Sequence, residues 1–405
     1  MLPSSNKHHH PRVDLINPIC ILLLATIGII FIYSAQLHPA QAGTGGGQWK
    51  SQVVWLFIGT GAYITVSFID YSLFMKHSHW IWTLAVIMLA LVLWSPLGVS
   101  RYGATRWLNL GFYTFQPVEI AKLAGIVISA SILTRSEVGD IKDSVQVLAK
   151  MALAISIPFL LILLQPDLGS SLVIPIFVFA QLYASNLSKR FFTTAILLFV
   201  ALVGAILIDN HNYVKFLDDN GIDPQNIEGR YQETTWFPLK DYQRNRILTF
   251  INPDKADPRG TGWNREQSII SVASGGPFGK GWTEGSQAQL GYLPRSVAHN
   301  DFIFSVVAEE AGFLGSAVVI SLFGILLGNS LHIAGQAKDR FGTLLTLGVV
   351  ALFSVHIFVN IAMTVGLMPI TGLPLPFLSH GGTFMLSCCI LLGLVQSVYR
   401  YRKDF

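Results

Sequence analysis

The sequence predicts an all-α integral membrane protein of about ten transmembrane helices, and three observations carry that prediction. Only 12% of the 405 residues are charged while 52% are apolar, against about 25% charged in an ordinary soluble domain. The apolar residues gather into runs near helix length, and a hydrocarbon core of about 30 Å needs about 20 helical residues to cross it. Lysine and arginine then favour one set of the intervening loops over the other.

The runs fall at roughly 16–36, 52–70, 79–95, 117–134, 150–165, 168–185, 190–208, 302–328, 342–366 and 383–399. Polar residues precede the first, and Pro11 and Arg12 lead straight into it, so it reads as a retained anchor. The fifth and sixth are parted by Gln165-Pro166-Asp167-Leu168-Gly169, where proline and glycine suit a tight turn between antiparallel spans. Asp167 there is favourably placed to cap the following helix. Ten spans put both termini on one side of the membrane. Loops on that side carry Lys7, Arg12, Lys76, Arg135, Lys142, Lys150, Lys189, Arg190, Lys338, Arg340, Arg400, Arg402 and Lys403; the short loops opposite carry Lys50, Arg101 and Arg106. The bias makes both termini cytoplasmic. The chain thus divides into seven spans over 1–208, a large extracytoplasmic loop over 209–299 and three spans over 300–405. Residues 209–242 read as polar and irregular. Residues 243–301, rich in glycine and turn signals, read as functional, since structureless loops of this length are uncommon otherwise.

Cys20, Cys388 and Cys389 all lie in apolar runs, so no disulfide framework supports the loops. Glu119 and Lys122 sit three apart in the fourth span and share a helix face. Either they neutralise each other so that the helix can insert, or their face lines a polar cavity for a charged head group. Asp301 opens the eighth span, as an N-cap or as part of a site. Ser305, Ala308, Gly312 and Gly315 follow as a stripe that admits another helix closely, and Glu309 and Glu310 demand polar partners. Three carboxylates at one helix end favour a site. Ser274-Gly275-Gly276-Pro277-Phe278-Gly279-Lys280-Gly281 lacks the glycine spacing and the Ser/Thr of a nucleotide-binding loop. His8, His9 and His10 lie in a polar tail, no Cys/His cluster has metal-site spacing, and nothing points to nucleic acid.

Two stretches carry a resemblance. One runs from Asn264 through Ser274-Gly275-Gly276-Pro277-Phe278-Gly279-Lys280-Gly281-Trp282, Gly285-Ser286-Gln287 and Leu293-Pro294 to His299-Asn300-Asp301-Phe302-Ile303-Phe304 and Glu309-Glu310-Ala311-Gly312. The other runs from Asn360 to Thr383 and includes Met368-Pro369-Ile370-Thr371-Gly372 and Pro376-Phe377-Leu378-Ser379-His380-Gly381-Gly382. With Arg106-Trp107-Leu108-Asn109-Leu110-Gly111, Phe115-Gln116-Pro117 and the Gln165–Gly169 turn, the chain resembles the SEDS family (shape, elongation, division and sporulation), which includes RodA and FtsW. Met363-Thr364 and Met368–Gly372 are more similar to the elongation member, RodA, than to the division member. Departures are a longer approach from Pro294 to Asp301, Asn300 in place of threonine, His380 in place of tyrosine and Thr383 in place of serine.

The resemblance implies a peptidoglycan glycosyltransferase of cell elongation that polymerises lipid II, with its site on the outer face of the bacterial cytoplasmic (inner) membrane. The implied transfer is inverting, with undecaprenyl pyrophosphate leaving and a carboxylate as general base for the acceptor hydroxyl. Asp301 matches the family's proposed catalytic aspartate, and Glu309 is a candidate to tune it. Lys122, Arg244, Arg246 and Lys280 are candidates to steady the pyrophosphate, alone or with a divalent cation (Mg or Mn). Glu119 joins Lys122 as a substrate-binding candidate. Trp107 offers an aromatic face to a sugar, or anchors at the interface. Implied partners are the lipid-linked glycan, a class B penicillin-binding protein transpeptidase and other membrane proteins of the elongation complex; analogy puts the transpeptidase against the eighth and ninth spans. The rival readings are a flippase for the lipid-linked precursor and a non-catalytic scaffold.

Overall fold

A computed structural model describes residues 13–37, 47–101, 104–109, 111, 113–136, 141–185, 187, 189–222, 241–253 and 260–402. The histidine run 8–10 and most of 209–242 lie outside the described residues. The predicted spans appear in order as helices α1 (Ile16–Gln36), α2 (Gln48–Phe68), α4 (Ser78–Trp94), α5 (Pro117–Arg135), α6 (Ile141–Leu164), α7 (Leu168–Ala184), α8 (Lys189–Asp219), α13 (Ile303–Gln336), α14 (Arg340–Thr364) and α15 (Gly382–Arg400). Between them lie the short α3 (Ser72–Lys76) and, outside the apolar runs, α9 (Asp241–Ile251), α10 (Thr261–Ser274), α11 (Ser286–Gln289) and α12 (Arg295–Ala298). Among the described residues, eight helices are long and apolar enough to cross a membrane. The other two predicted spans, α4 and α7, are apolar helices of 17 residues each. The protein is a multi-pass membrane protein.

Burial separates a centre from a rim. Helices α5, α14 and α15 are mostly buried, whereas α8 leaves almost all of its apolar surface exposed, including Leu197, Leu198 and Phe199. In a membrane protein such exposure is contact with lipid tails. Helices α2 and α15 lie close because Gly59 sits against Cys389 and Gly393 against Tyr63, with the Tyr63 hydroxyl donating to Gln396 Oε1 at 3.0 Å. Small residues at such crossings allow the close approach on which helix packing in lipid depends. Cys20, Cys388 and Cys389 are free and buried.

Two elements depart from expectation. The α4–α5 connection folds into a three-stranded antiparallel sheet, β1 (Gly98–Arg101), β2 (Ala104–Asn109) and β3 (Thr114–Phe115), ordered β1-β2-β3. And 209–242 is not irregular throughout: α8 continues to Asp219, about three turns beyond the apolar run. That extension carries Tyr213 and Leu217 on one face, and both pack with Leu248 of α9. The burial it gains there offsets the polarity of Asp209, Asn210 and His211.

Helix α13 is two helices joined at Gly312, whose φ of 64° and ψ of −160° break the ladder. The segment from Phe313 to Gln336, about 36 Å long at 1.5 Å per residue, is sufficient to span, so Glu309 and Glu310 belong to an outer segment. The backbone groups freed at the break need partners, and the glycine-rich loop 275–281 supplies them. Lys280 N–H donates to the Glu309 carbonyl at 3.0 Å and Gly281 N–H to the Glu310 carbonyl at 3.1 Å. In return, Phe313 N–H reaches the Gly276 carbonyl at 2.8 Å and Leu314 N–H the Pro277 carbonyl at 3.1 Å. These contacts account for Gly279, which holds φ of 83° and would bring a Cβ to within 2.1 Å of the Glu310 carbonyl oxygen. Gly279→Ala should therefore lower stability by about 1–3 kcal/mol, measured as an earlier thermal transition in detergent; an unchanged transition would show that the loop yields freely.

The small-residue stripe admits the neighbour foreseen for it. Helix α10 lies against α13 and α14, with the Ser268 hydroxyl 2.7 Å from that of Ser305 and donating to the Thr364 carbonyl at 2.9 Å.

Candidate active site

Asp301 lies one residue before Phe302, the N-cap of α13, and so does not cap that helix itself. It is half-buried in the turn that follows α12. The loop 365–381 between α14 and α15 wraps this turn through paired backbone and side-chain bonds. The Ser379 hydroxyl donates to the Asn300 carbonyl at 2.6 Å, the His380 N–H to the His299 carbonyl at 3.0 Å, and Asn360 Nδ2 to the Asp301 carbonyl at 2.8 Å. The His299 and His380 rings meet edge to face at 5.6 Å. Gly372, at φ of 75°, brings the loop beside the carboxyl: a Cβ there would stand 3.5 Å from Asp301 Oδ2.

Two arginines and a second carboxylate complete the niche. Arg246 of α9 donates from Nη1 to the Thr371 carbonyl at 2.8 Å. Arg106 of β2 donates from Nε to the Gln165 carbonyl at 3.3 Å and from Nη2 to the Pro166 carbonyl, and its Nη1 lies 3.9 Å from Asp167. Asp167 also accepts from the Ser170 N–H at 3.2 Å, so the expected cap of α7 is present. The Gln165–Gly169 turn abuts the loop at Gly169, where a Cβ would fall 2.6 Å from the Thr371 carbonyl oxygen. Burial pushes the Asp301 carboxyl up to about 6; Arg246 and Arg106 pull it down, and Asp167 adds to the rise. A half-buried carboxyl under the influence of two arginine charges is equipped to take a proton from a hydroxyl while an anion is held alongside.

The other candidates lie elsewhere or are bonded elsewhere. Lys280 pairs with Glu309 at 2.6 Å, and Glu309 also accepts from the Ser286 hydroxyl and the Gln287 N–H, each at 3.1 Å. The charged groups that act on the Asp301 carboxyl are Arg246, Arg106 and Asp167, while Glu309 is engaged by Lys280, Ser286 and Gln287. Glu310 likewise accepts from the Ser34 hydroxyl. Arg244 is buried against Asp209 of α8 at 2.6 Å, so its charge is matched within the outer cap. Trp107 is half-buried and follows Arg106 in β2, where alternation turns it to the other face of the sheet.

Glu119 and Lys122 do form the expected buried pair, 2.8 Å apart. Around them are two partners that sequence reasoning passed over. The Ser387 hydroxyl donates to Glu119 Oε2 at 3.0 Å, and His356 Nε2 lies 3.2 Å from Lys122 Nζ. In the sequence Arg106 stands as an outer-loop cation and a motif residue beside Trp107; its approach to Asp167 comes from the fold.

A family model described as cell cycle protein, FtsW/RodA/SpoVE, matches residues 14–404. The chain belongs to that family. The peptidoglycan glycosyltransferase MrdB of Escherichia coli K12 is 31% identical over 400 residues, 98% of this chain and 97% of that one. The peptidoglycan glycosyltransferase RodA of Treponema pallidum is 30% identical over an alignment 423 positions long that covers 93% of this chain and 95% of that one. A solved structure described as structural coordination of polymerization and crosslinking by a peptidoglycan synthase complex matches with a TM-score of 0.74 at 26% identity. It covers 97% of this chain and 99% of its own. The RodA structure from Thermus thermophilus, at 24% identity and a TM-score of 0.65, shares the fold. Within the FtsW/RodA/SpoVE chain in hand, both motif stretches that suggested the family converge on Asp301: one contributes the aspartate, the other the loop that encloses it.

Proposed function

We propose that this chain is an elongation-type peptidoglycan glycosyltransferase, similar to RodA, that polymerises lipid II at the outer face of the bacterial cytoplasmic membrane. The observation that carries the proposal is the Asp301 niche: a carboxyl raised to about 6, under the influence of Arg246 and Arg106, in a chain whose relatives are named peptidoglycan glycosyltransferases. Asp301 accepts the proton of the acceptor hydroxyl as that oxygen attacks the anomeric carbon of the donor sugar. Undecaprenyl pyrophosphate departs from the opposite face, and the configuration inverts. A base with a pKa near 6 is mostly ionised at neutral pH yet basic enough to help. Arg246, one of the expected cations, is joined by Arg106 in screening the leaving pyrophosphate; Lys122, Arg244 and Lys280 are bonded to carboxylates elsewhere. A divalent cation (Mg or Mn) carried by the pyrophosphate would share this screening.

The partner is a class B penicillin-binding protein transpeptidase, a reading that the match to a peptidoglycan synthase complex supports; its place against α13 and α14 rests on analogy alone. The flippase reading loses ground because Glu119 and Lys122 are bonded internally on each side rather than open to a path. Purified protein with its partner should convert lipid II to glycan polymer. Lipid II crossing vesicle membranes with no polymer formed would replace this reading with the transporter.

The pH dependence has a definite sign. The base works when deprotonated, so the rate should fall as pH drops through about 6. Arg246→Gln removes a group that lowers the Asp301 pKa and should move this limb up. Asp167→Asn, which keeps an acceptor for the Ser170 N–H, removes a group that raises it and should move the limb down. Rate profiles between pH 5 and 8 read both shifts; limbs that coincide with the parent's would detach these residues from Asp301.

A further inference from the structure

His356 is wholly buried in α14 and is bonded on both ring nitrogens. Nδ1 lies 3.0 Å from the Pro374 carbonyl, which can only accept, so that nitrogen carries the proton. Nε2 then offers its lone pair to the Lys122 ammonium at 3.2 Å. One turn further along the same helix, Asn360 Nδ2 donates to both the Leu373 carbonyl and the Asp301 carbonyl, each at 2.8 Å. Residues four apart on a helix share a face, so α14 grips two successive carbonyls of the 365–381 loop. The upper grip also holds the backbone of Asp301, and the lower one ends on the Glu119–Lys122 pair.

We infer that His356 and Asn360 are positioning residues that tie the intramembrane Glu119–Lys122 pair to Asp301, fixing the carboxyl against the loop that encloses it. The ion pair orients His356, His356 fixes Pro374, and Asn360 locks Leu373 to the turn that carries Asp301. Neither residue is assigned a contact with substrate. The kinetic consequence rests on the polymerase reading; the effect on the loop does not.

Two readouts test the inference on the full chain in complex with its partner. Amide hydrogen exchange in 365–381 should quicken about tenfold or more in His356→Leu and in Asn360→Ala, while exchange in α2 stays as in the parent. With lipid II, both variants should lose about ten- to a hundredfold in kcat, the scale expected when a reacting group is misplaced by about 1 Å, with KM within about twofold. His356→Gln, whose amide N–H can donate to the Pro374 carbonyl while its oxygen accepts from Lys122, should recover most of both losses. Unchanged exchange in the loop overturns the tie whether or not polymer forms. A rise in KM with kcat retained overturns it in favour of direct substrate binding, and equal losses in His356→Gln and His356→Leu overturn the orienting role of the imidazole. Absence of polymer from the parent itself defeats the polymerase reading and leaves the exchange measurement to decide the tie.

Discussion

Asp301→Asn should lower the polymerisation rate by about 100- to 10,000-fold, the range that a positioned general base contributes. The substitution preserves side-chain volume, and the Asn360 bond to the residue 301 carbonyl is untouched because it is made to the backbone. Unfolding is not the expected cause of the loss. Burial holds the Asp301 proton more tightly in the folded chain than in the unfolded one. Its favourable contribution to stability is thus present below about pH 4 and is lost as pH rises through about 6. Asparagine, never ionised, removes that slope, so the variant should melt no earlier than the parent at pH 7. A slow enzyme with an intact melt separates lost chemistry from lost structure.

Lys122→Met should produce the largest loss of stability, about 3–5 kcal/mol, the usual consequence of removing one partner from a buried ion pair. Glu119 is 4% exposed and would keep only the Ser387 hydroxyl as a partner. The methionine adds no donor, and His356 Nε2 would lose its partner as well. The double variant Glu119→Gln/Lys122→Met should recover most of the loss, because replacing a whole buried pair is far milder than halving it. Melting of the detergent-solubilised chain is the measurement. A single variant that melts with the parent would mean that water reaches Glu119, and so would reopen the cavity reading of this face.

Much of the fold was legible because lipid imposes a severe rule: a span needs a long apolar run, and those runs can be read directly. Where polarity interrupted a run, legibility failed for local reasons. Asp209, Asn210 and His211 end the apolar stretch of α8, yet Tyr213 and Leu217, four apart, already marked one apolar helical face. The strands in the α4–α5 connection had a weak signal, in the β-branched Thr105 and the aromatic Trp107, but Thr105-Arg106-Trp107-Leu108 lacks the polar–apolar alternation that marks a strand. Asp301 was legible from its place at the head of a span with Glu309 and Glu310 beyond it, and the motif then gave it a role. The partners of the basic residues were not legible, since Lys280 meets Glu309 and Arg244 meets Asp209 only after residues 29 and 35 positions apart are folded together. His356 was passed over as one polar residue in an apolar helix; its spacing of four from Asn360 was the available sign of a polar stripe.

The most direct test of Asp301 as the base is the initial rate of lipid II polymerisation by the parent and by Asp301→Asn, each in complex with the transpeptidase, from pH 5 to 8. The expected result is a parent rate that falls below about pH 6 beside a variant that is slow and flat across the range. An Asp301→Asn enzyme that polymerises at the parent's rate, or keeps the same acid limb, would contradict the assignment of Asp301 as the base.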